Sequence, residues 1–442
     1  MGLKFNGLNI NENEYIKGEI FVPADKSITH RVFMLASICE GKSYIKNPLL
    51  AEDCYNTLKA LNELGVKFEV LQNNDVIIEG LGLKNFKNTK KKIDMGNSGT
   101  GIRLLTGLLV GQKNLEVTLT GDASLVKRPM NRIIIPLEKM GAEIFASENK
   151  FAPLKIYGKN LHGIRYELPI ASAQIKSCLL LAGLFASSPT TIIEKVKSRN
   201  HTENMFKYLG IDLKINGLEI TLSPLTSNIK SKDFFVPSDI SSAAFFIVLG
   251  ILASKNGILI KNVGLNPTRI GILNILKKMG ANIKIENERE VSGEKIGDVF
   301  VKKSHLYGVE IYGADIPNVI DEIPIISVAA IFAKGKTIIK DAHELRYKEC
   351  DRISAIKSEF SKFGAEIEEL KDGLIINGNM NKKLTFDSIK LNSFMDHRIA
   401  MCEVILGVLS NGKIEIDDID CINTSFPTFF DCLNKIGVNI KL

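Results

Sequence analysis

The sequence predicts an α+β protein of two domains, in which each domain holds three βαβαββ units and the same unit occurs six times. Three observations predict this class: the chain length, a recurring helix-stop signal and a recurring order of helices and strands. The chain has 442 residues, and a single hydrophobic core rarely grows beyond about 250–300 residues. Hydrophobic residues make up 45% of the chain and charged residues 24%, which is typical of globular proteins.

The stop signal consists of an apolar residue, a glycine and a small or β-branched residue that opens a strand. Glycine just after a helix adopts the left-handed conformation that ends it. Successive copies lie about 69 to 84 residues apart, which exceeds the roughly 20–50 residues of most solenoid repeats, the alternative architecture. The six glycines are Gly65, Gly141, Gly210, Gly280, Gly364 and Gly437.

Each unit opens with an apolar helix, continues with a short alternating strand and a second helix, and closes with a hairpin. Asn216-Gly217 and Asp372-Gly373 indicate two of the hairpin turns. The sixth unit is incomplete, because the chain stops after one strand, and we expect the N-terminal segment 4–23 to complete it. The opening helices are predicted over 27–38, 100–110, 173–186, 241–253, 323–333 and 397–409.

The repeats also define the predicted domain boundaries. Three units form an N-terminal domain over 24–236. The other three form a C-terminal domain over 237–442, together with residues 1–23. The chain then crosses between the domains twice, near Pro23 and near Pro237.

Composition argues against several classes of protein. The seven cysteines are scattered and none forms a C-x-x-C pair, so we expect no disulfide framework and a reducing compartment. No run of about 18 apolar residues indicates a membrane span, and the first ten residues lack the pattern of a signal peptide. We therefore expect a cytoplasmic protein without a membrane partner. No Cys/His cluster indicates zinc, and we expect no metal and no cofactor.

The arginines are distributed unevenly. The net charge of +7 fits anionic partners of any kind. The chain has 46 lysines and only eleven arginines, and a guanidinium suits the planar recognition of phosphate and carboxylate. Seven arginines fall near predicted helix starts, where unpaired N–H groups and the helix dipole attract anions. They are Arg31, Arg103, Arg128, Arg199, Arg346, Arg352 and Arg398.

Polar segments precede the apolar helices in both halves of the chain. Taken singly, each is equally explained by an ordinary helix cap or by surface ion pairs. The carboxylates of Asp321 and Glu322, directly before a very apolar helix, also fit a general base. The other segments are 23–31, 96–103, 121–130, 172–177, 197–201, 345–352 and 396–398.

Eight strings that run in order from residue 25 to residue 401 carry a resemblance to a known family. They are DKSITHR, GNSGT, RPM, SAQIKS, DISSAA, DEIP, LRYKECDR and DHRIAM. Together they resemble the 5-enolpyruvylshikimate-3-phosphate synthase family and cover nearly the whole chain. The resemblance implies a two-domain, inside-out α/β barrel, or prism, with three βαβαββ units in each domain. It also implies two substrates, shikimate-3-phosphate and phosphoenolpyruvate, with phosphate as a product and no cofactor.

The resemblance assigns roles to particular positions. Asp321 is implied as the base, and Glu349, assisted by Lys26, as the proton donor. The residues implied for shikimate-3-phosphate are Lys26, Ser27, Arg31, Ser172, Ala173, Gln174, Arg199, Asp321 and Lys348. Those implied for phosphoenolpyruvate are Lys26, Gly99, Arg128, Gln174, Arg352 and Arg398. Glyphosate competes with phosphoenolpyruvate in this family, and we expect the chain to be a monomer.

Two other functions are open to this composition. The related UDP-N-acetylglucosamine enolpyruvyl transferase shares the implied fold, but its first motif usually lacks Ser-x-x-His-Arg, and a loop cysteine in a Gly-rich Arg-Pro setting is not found here. A repeat protein that binds nucleic acid would use the basic loops and would bind in a strongly salt-dependent way. Nine tyrosines and no tryptophan offer few stacking platforms, so we expect no nucleic-acid partner.

Overall fold

The computed structural model describes residues 1–7, 16–225 and 227–440. The chain divides into two compact units. The N-unit consists of Ala24–Pro237 and the short turn Glu290–Glu294. The C-unit consists of Met1–Pro23, Ser238–Arg289 and Lys295–Leu442.

The chain starts with two strands, and the helices and strands of the N-unit follow. The first strands are β1 (Leu3–Asn6) and β2 (Gly18–Ile20). The following elements are α1 (Lys26–Ile38), β3 (Glu40–Lys46), α2 (Glu52–Glu63), β4 (Lys67–Val70), β5 (Val76–Leu81), β6 (Lys92–Asp94), α3 (Gly99–Leu109), β7 (Glu116–Thr120), α4 (Asn131–Lys139), β8 (Glu143–Ser147), β9 (Phe151–Tyr157), β10 (Arg165–Glu167), α5 (Ala173–Gly183), β11 (Thr190–Ile193), α6 (His201–Leu209), β12 (Leu213–Asn216), β13 (Glu219–Leu222) and β14 (Phe234–Phe235).

The C-unit repeats this order of elements. They are α7 (Ile240–Ala253), β15 (Ile258–Gly264), α8 (Gly271–Lys278), β16 (Ile283–Val291), β17 (Glu294–Val301), β18 (Glu310–Ile311), α9 (Ile316–Val319), α10 (Ile323–Ile331), β19 (Gly335–Ile339), α11 (Arg352–Ala355), β20 (Glu366–Leu370), β21 (Gly373–Gly378), β22 (Thr385–Leu391), α12 (His397–Val408), β23 (Asn411–Ile416) and α13 (Phe429–Lys435). A π-helical turn over Ile356–Phe360 extends α11.

The sheets confirm the predicted βαβαββ unit. In the sheet β6-β7-β9-β8, the edge strand β6 runs parallel to β7, and the other pairs are antiparallel. The sheets β14-β3-β5-β4, β10-β11-β13-β12 and β18-β19-β21-β20 have the same arrangement. The sheet β2-β15-β17-β16 has its edge strand β2 parallel to β15. No sheet among the described strands closes on itself.

The N-terminal segment serves two sheets. Strand β1 pairs antiparallel with β23 and completes the sixth unit, as predicted. Strand β2 joins the sheet of the fourth unit instead, while residues 8–15 lie outside the described residues. The single strand that we expected after Gly437 is not formed in the described residues 438–440. The sixth sheet therefore contains β22, β23 and β1.

At each of the two crossovers, a short strand pairs away from the helix that follows it in the sequence. Strand β2 precedes α1 in sequence but pairs with β15, and β14 precedes α7 but pairs with β3. The backbone N–H of Asp25 donates to the carbonyl of Pro237 at 2.8 Å, and that of Asp239 donates to the carbonyl of Pro23 at 2.8 Å. These bonds hold the start of each opening helix against a strand that comes from a distant part of the sequence.

The apolar opening helices occupy the centre of each unit and the sheets cover them. The helices therefore lie inside and the sheets outside, which is the inside-out arrangement. In the C-unit, α7, α10 and α12 contact one another and are covered by β15, β21 and β23. In the N-unit, α3 contacts both α1 and α5. All six predicted stop glycines have φ between 79° and 98° and end or follow a helix, which confirms the helix-stop pattern.

Candidate active site

The side chains that sequence analysis selected fall into two clusters, one in each unit. The N-cluster comprises Lys26, Ser27, Arg31, Gly99, Arg128, Ser172, Ala173, Gln174 and Arg199, all in the N-unit. The C-cluster comprises Asp321, Lys348, Glu349, Arg352 and Arg398, all in the C-unit. In both clusters most of the side chains stand at or near the first turn of a helix.

The start of α1 fixes the first residues of the N-cluster. The side chain of Asp25 accepts a hydrogen bond from the backbone N–H of Ile28 at 2.8 Å and so caps the helix. Lys26 is the first helical residue, and its Nζ lies 3.1 Å from Oδ2 of Asp53. Asp53 is a partner that sequence reasoning missed, because it follows 27 residues later in another helix. This contact orients the Lys26 ammonium while its side chain keeps partial exposure.

Arg31 is buried and held by three hydrogen bonds. Its Nε donates to Oγ1 of Thr202 at 2.9 Å, its Nη1 to the carbonyl of Ser27 at 2.7 Å, and its Nη2 to Oγ of Ser177 at 2.8 Å. Burial lowers the pKa of Arg31 to about 10, so the side chain remains cationic at neutral pH. All three acceptors are neutral, although the charges of Asp25 and Glu203 also act on the guanidinium.

The start of α3 is supported by a buried neutral histidine. Ser98 caps α3, and its Oγ accepts from the backbone N–H of Gly101 at 3.0 Å. The ring of His30 connects Thr57, 2.8 Å from Nδ1, with Ser98, 3.3 Å from Nε2. Burial lowers the pKa of His30 to about 3, so the imidazole is uncharged at neutral pH and acts as a hydrogen-bonding spacer.

Gly99 lets Arg128 lie against the start of α3. A Cβ at Gly99 would lie 3.2 Å from Nη1 of Arg128, which is tighter than an ordinary contact. Arg128 itself donates to Oδ1 of Asn97 and, at 3.2 Å, to Oγ of Ser124. Its hydrogen-bond partners are thus neutral, like those of Arg31. Gly99 makes room for the guanidinium of Arg128 at the N-terminus of α3. The charge of Arg128 and the positive end of the helix dipole therefore lie close together.

The start of α5 supplies neutral hydrogen-bonding groups. Ser172 caps the helix by accepting from the backbone N–H of Ile175, and Ala173 is its first residue. Gln174 connects α5 to α3, because its Oε1 accepts from Nη1 of Arg103 and its Nε2 donates to Oγ1 of Thr100 at 3.0 Å. This double contact fixes the orientation of the Gln174 amide.

Arg199 stands in the loop between β11 and α6. Its charge contributes to the lowered pKa of Arg31, which places the two cations in the same electrostatic neighbourhood. The N-cluster therefore combines groups from α1, from the start of α3 and from this loop. Their positive charges add up to a region that attracts anions.

The C-cluster is built around Asp321. Oδ1 of Asp321 lies 3.0 Å from Nζ of Lys348 and 3.7 Å from Nη1 of Arg352. The backbone carbonyl of the same residue accepts from Nη1 of Arg398 at 2.9 Å. Three cations therefore converge on one residue.

Arg352 links the remaining acids of the C-cluster. Its Nε lies 2.8 Å from Oδ2 of Asp396, and its Nη2 lies 2.6 Å from Oε2 of Glu349. Burial alone would lower the pKa of Arg352, but Asp396, Glu349 and Asp321 together raise it above its ordinary value. Its Nη1 is buried and makes no hydrogen bond within the described part of the chain. That N–H group is available for an oxygen atom of a ligand.

Asp396 and Glu322 support arginines, a role that the sequence analysis did not predict for either of them. Asp396 caps α12 and is fully buried against Arg352, which lowers the pKa of Asp396 although burial opposes this shift. Glu322 is also fully buried; its Oε1 accepts from Oγ of Ser241 and lies 3.9 Å from Nη1 of Arg398. A carboxylate directly before an apolar helix is the signal that could have identified both as supports for arginines.

Arg346, one of the seven selected arginines, has a different use. Its guanidinium lies 2.7 Å from Oδ2 of Asp351 and 2.9 Å from Oε1 of Glu369, and it donates to two backbone carbonyls. It therefore connects the segment before α11 to β20 and is not positioned as an anion ligand.

Neither a metal site nor a membrane span is found in the described residues. Within them, no group of three or more His, Cys, Asp or Glu side chains has the arrangement that would hold a metal ion. No described helix has both the length and the apolar character needed to span a membrane.

Comparison with known proteins gives a consistent result. The family model described as EPSP synthase (3-phosphoshikimate 1-carboxyvinyltransferase) matches residues 10–433. The 3-phosphoshikimate 1-carboxyvinyltransferase of Thermoanaerobacter sp. (strain X514) is 48% identical over 97% of this chain and 100% of its own length. That of Petrotoga mobilis is 47% identical over 97% of this chain and 99% of its own. The structure of EPSP synthase from Acinetobacter baumannii superposes with a TM-score of 0.89 at 40% identity and covers 99% of both chains.

Proposed function

Because the chain belongs to the EPSP synthase (3-phosphoshikimate 1-carboxyvinyltransferase) family, we propose that it transfers the enolpyruvyl group of phosphoenolpyruvate to the 5-hydroxyl of shikimate-3-phosphate. The reaction is an addition followed by an elimination. The hydroxyl oxygen adds to the enol carbon while the methylene carbon takes up a proton. The tetrahedral intermediate then loses a methyl proton and its phosphate, which leaves the enolpyruvyl ether and inorganic phosphate.

The N-cluster suits the binding of the two phosphorylated acids. Lys26, Ser27, Arg31, Ser172, Ala173, Gln174 and Arg199, with Asp321 and Lys348 of the C-cluster, are proposed to hold shikimate-3-phosphate. Lys26, Gly99, Arg128 and Gln174, with Arg352 and Arg398 of the C-cluster, are proposed to hold phosphoenolpyruvate. This proposal is supported by the hydrogen bonds of Arg31 and Arg128. Both guanidinium groups donate to neutral oxygen atoms, so neither is paired directly with a carboxylate and each can bind an anionic ligand.

The C-cluster suits the proton transfers. Asp321 is proposed to accept the proton of the 5-hydroxyl, since Lys348 at 3.0 Å favours its ionised form. Glu349, with Lys26, is proposed to deliver the proton to the methylene carbon. A positioned acid or base contributes about 10²–10⁴-fold to the rate.

Arg352 couples the proton donor to substrate binding in this proposal. Without a ligand, the guanidinium 2.6 Å from Glu349 favours the ionised carboxylate. A phosphoenolpyruvate carboxylate bound at Nη1 of Arg352 would offset that charge and raise the proton affinity of Glu349. The acid is then protonated when its substrate is present. The single observation that carries the mechanism is the joining of Asp321 and Glu349 through the buried Arg352, whose Nη1 has no hydrogen-bond partner in the described structure.

The remaining features of the setting are also proposed. All seven cysteines are free, which supports a reducing compartment and hence the cytoplasm. We propose that the enzyme works as a monomer without cofactor or nucleic acid. The predicted domains, 24–236 and 1–23 with 237–442, are proposed to be its functional domains.

The test is phosphate release from phosphoenolpyruvate with each of two acceptors. We expect release with shikimate-3-phosphate and none above background with UDP-N-acetylglucosamine. Mass spectrometry of the product should show the mass of the acceptor increased by one enolpyruvyl group. Release with the nucleotide sugar alone would overturn the proposal and would identify the related transferase instead.

A further inference from the structure

A fully buried lysine ties together the elements that flank Arg199. Lys176 lies on α5, two residues after Gln174, and its side chain is 0% exposed. Its Nζ lies 2.9 Å from Oε2 of Glu194 and 2.7 Å from Oε1 of Glu203, whose side chains are 3% and 2% exposed. It also donates to the backbone carbonyl of Ser198 at 3.3 Å. An ammonium group has three N–H donors, and this one has three acceptors.

The two glutamates stand at the two ends of the loop that carries Arg199. Glu194 directly follows β11, and Glu203 lies in the first turn of α6. Glu194 also accepts from the backbone N–H of Ser198 at 3.0 Å and from its hydroxyl group. The loop is therefore anchored at its start, at its end and at the residue before Arg199, and all three anchors meet at one ammonium group.

The same network continues into the binding residues of the N-cluster. Ser177 and Thr202, the sequence neighbours of Lys176 and Glu203, both bind Arg31, and the hydroxyl of Thr202 donates to Ser177 at 2.7 Å. Glu203 attracts the Arg31 charge. Two cations and two carboxylates are thus buried near one another, and both carboxylates contact the ammonium group of Lys176 directly.

A buried charge network of this kind is a poor source of stability, because desolvation of the ions offsets their attraction and apolar residues of similar volume often serve as well. What such a network does provide is a fixed geometry, since each charged group must keep its partners. We infer that Lys176 is a positioning residue for the acceptor substrate, which holds the backbone beside Arg199 in register with the start of α5. This inference rests on the proposed function, because it names shikimate-3-phosphate as the ligand of that loop.

The test compares three variants by steady-state kinetics. Lys176→Met removes the ammonium and leaves two buried glutamates. The double variant Lys176→Met/Glu203→Gln removes one charge of each sign, so it keeps the net charge of the buried group and is the one expected to fold well. Lys261→Met is the matched control, because its Nζ lies 2.7 Å from Oδ2 of the buried Asp298 in the C-unit.

We expect the double variant to raise the KM for shikimate-3-phosphate about tenfold or more, since displacement of a binding group by about 1 Å has effects of this size or larger. The KM for phosphoenolpyruvate should change by less than about threefold, and Lys261→Met should change neither constant by more than that. Circular dichroism and a thermal melt of each variant establish that the fold is kept.

Three results would overturn the inference. The first is a folded double variant with an unchanged KM for shikimate-3-phosphate. The second is an equal rise in both KM values, which indicates a general loss of structure. The third is failure of the double variant to fold, which would make the network a requirement of the core instead of the loop. If the wild-type chain itself releases no phosphate with shikimate-3-phosphate, the proposed function fails as well, and that result is obtained separately.

Discussion

Two arginines of the N-cluster differ from two cations of the C-cluster in the partners that they contact. In the N-cluster, Arg31 and Arg128 donate to hydroxyl, amide and carbonyl oxygens, all of them neutral. In the C-cluster, Lys348 and Arg352 contact the carboxylates of Asp321, Glu349 and Asp396. A cation with neutral partners keeps its charge for a ligand, whereas a cation with acidic partners controls the ionisation of those acids. The comparison applies to these four cations, since Lys26 of the N-cluster lies 3.1 Å from a carboxylate oxygen of Asp53.

The largest effect should come from the carboxylate at the centre of the C-cluster. We expect Asp321→Asn to lower kcat by about 10²–10⁴-fold, because the amide cannot accept the hydroxyl proton. The affinity for shikimate-3-phosphate, measured by isothermal titration calorimetry, should change little. A variant that turns over at a rate near that of the wild type would remove Asp321 as the base and would end the distinction between the clusters.

The second effect concerns stability and compares one arginine from each cluster. Arg352→Met leaves the fully buried Asp396 without its cation, so we expect the free energy of unfolding to fall by about 3–5 kcal/mol. Arg128→Met removes hydrogen bonds to partly exposed neutral groups and should cost about 1 kcal/mol or less. Urea unfolding measures both.

Both of these variants should bind phosphoenolpyruvate more weakly. Equal losses of stability would contradict the contrast between charged and neutral partners. A normal KM for phosphoenolpyruvate in Arg128→Met would instead contradict its role as a ligand.

The third effect is a difference in pH dependence between the units. Glu403 in α12 is fully buried, its carboxylate oxygens make no hydrogen bond within the described residues, and burial raises its pKa well above its ordinary value of 4.5. The folded C-unit keeps a proton that the unfolded chain releases, so its stability falls as the pH rises above about 4.5. Glu403→Gln should therefore stabilise the protein at pH 8 by about 1–2 kcal/mol and at pH 4.5 by much less.

His30 in the N-unit gives the opposite sign and serves as the control. In the folded protein the pKa of His30 is about 3, below its ordinary value of 6.5. Between these two pH values the unfolded chain binds a proton at His30 and the folded N-unit does not. Stability from this group is complete above pH 6.5 and is lost as the pH falls toward 3. His30→Gln should relieve the loss at pH 4.5 and bring nothing at pH 8. Urea unfolding midpoints would refute the contrast if the gain from Glu403→Gln were not larger at pH 8 than at pH 4.5, or if the gain from His30→Gln were not larger at pH 4.5 than at pH 8.

The smallest effect should come from the close contact at the start of α3. In Gly99→Ala the new Cβ would lie 3.2 Å from Nη1 of Arg128, and the guanidinium must move by a few tenths of an ångström. We expect the KM for phosphoenolpyruvate to rise about 2–10-fold, the equivalent of a modest rotamer strain. The KM for shikimate-3-phosphate is the internal control. An unchanged KM for phosphoenolpyruvate would show that Arg128 tolerates the shift.

Local sequence signals predicted the helices and their ends well. The stop glycines and the helix caps Asp25, Ser172 and Asp396 are identified by residue type, because few residues satisfy a left-handed backbone or an unpaired N–H group. The pairing of the two short strands at the crossovers was not predictable, since β2 and β14 have three and two residues and carry no periodicity. Partners such as Asp53 for Lys26 and Glu194 for Lys176 were missed because each pairing depends on the fold, not on spacing along the chain.

The long-range pairing of the N-terminal strands has a consequence for synthesis on the ribosome. Residue Leu3 of β1 pairs with Ile416 of β23, and Ile20 of β2 pairs with Ile260 of β15. At about 5–20 residues per second, the first strand to leave the exit tunnel waits roughly 20–80 seconds for its partner. Residues 24–237 meanwhile contain every strand of the first three sheets. The nascent chain therefore contains all strands of the first three units early, while β1 has no partner strand until translation is nearly finished.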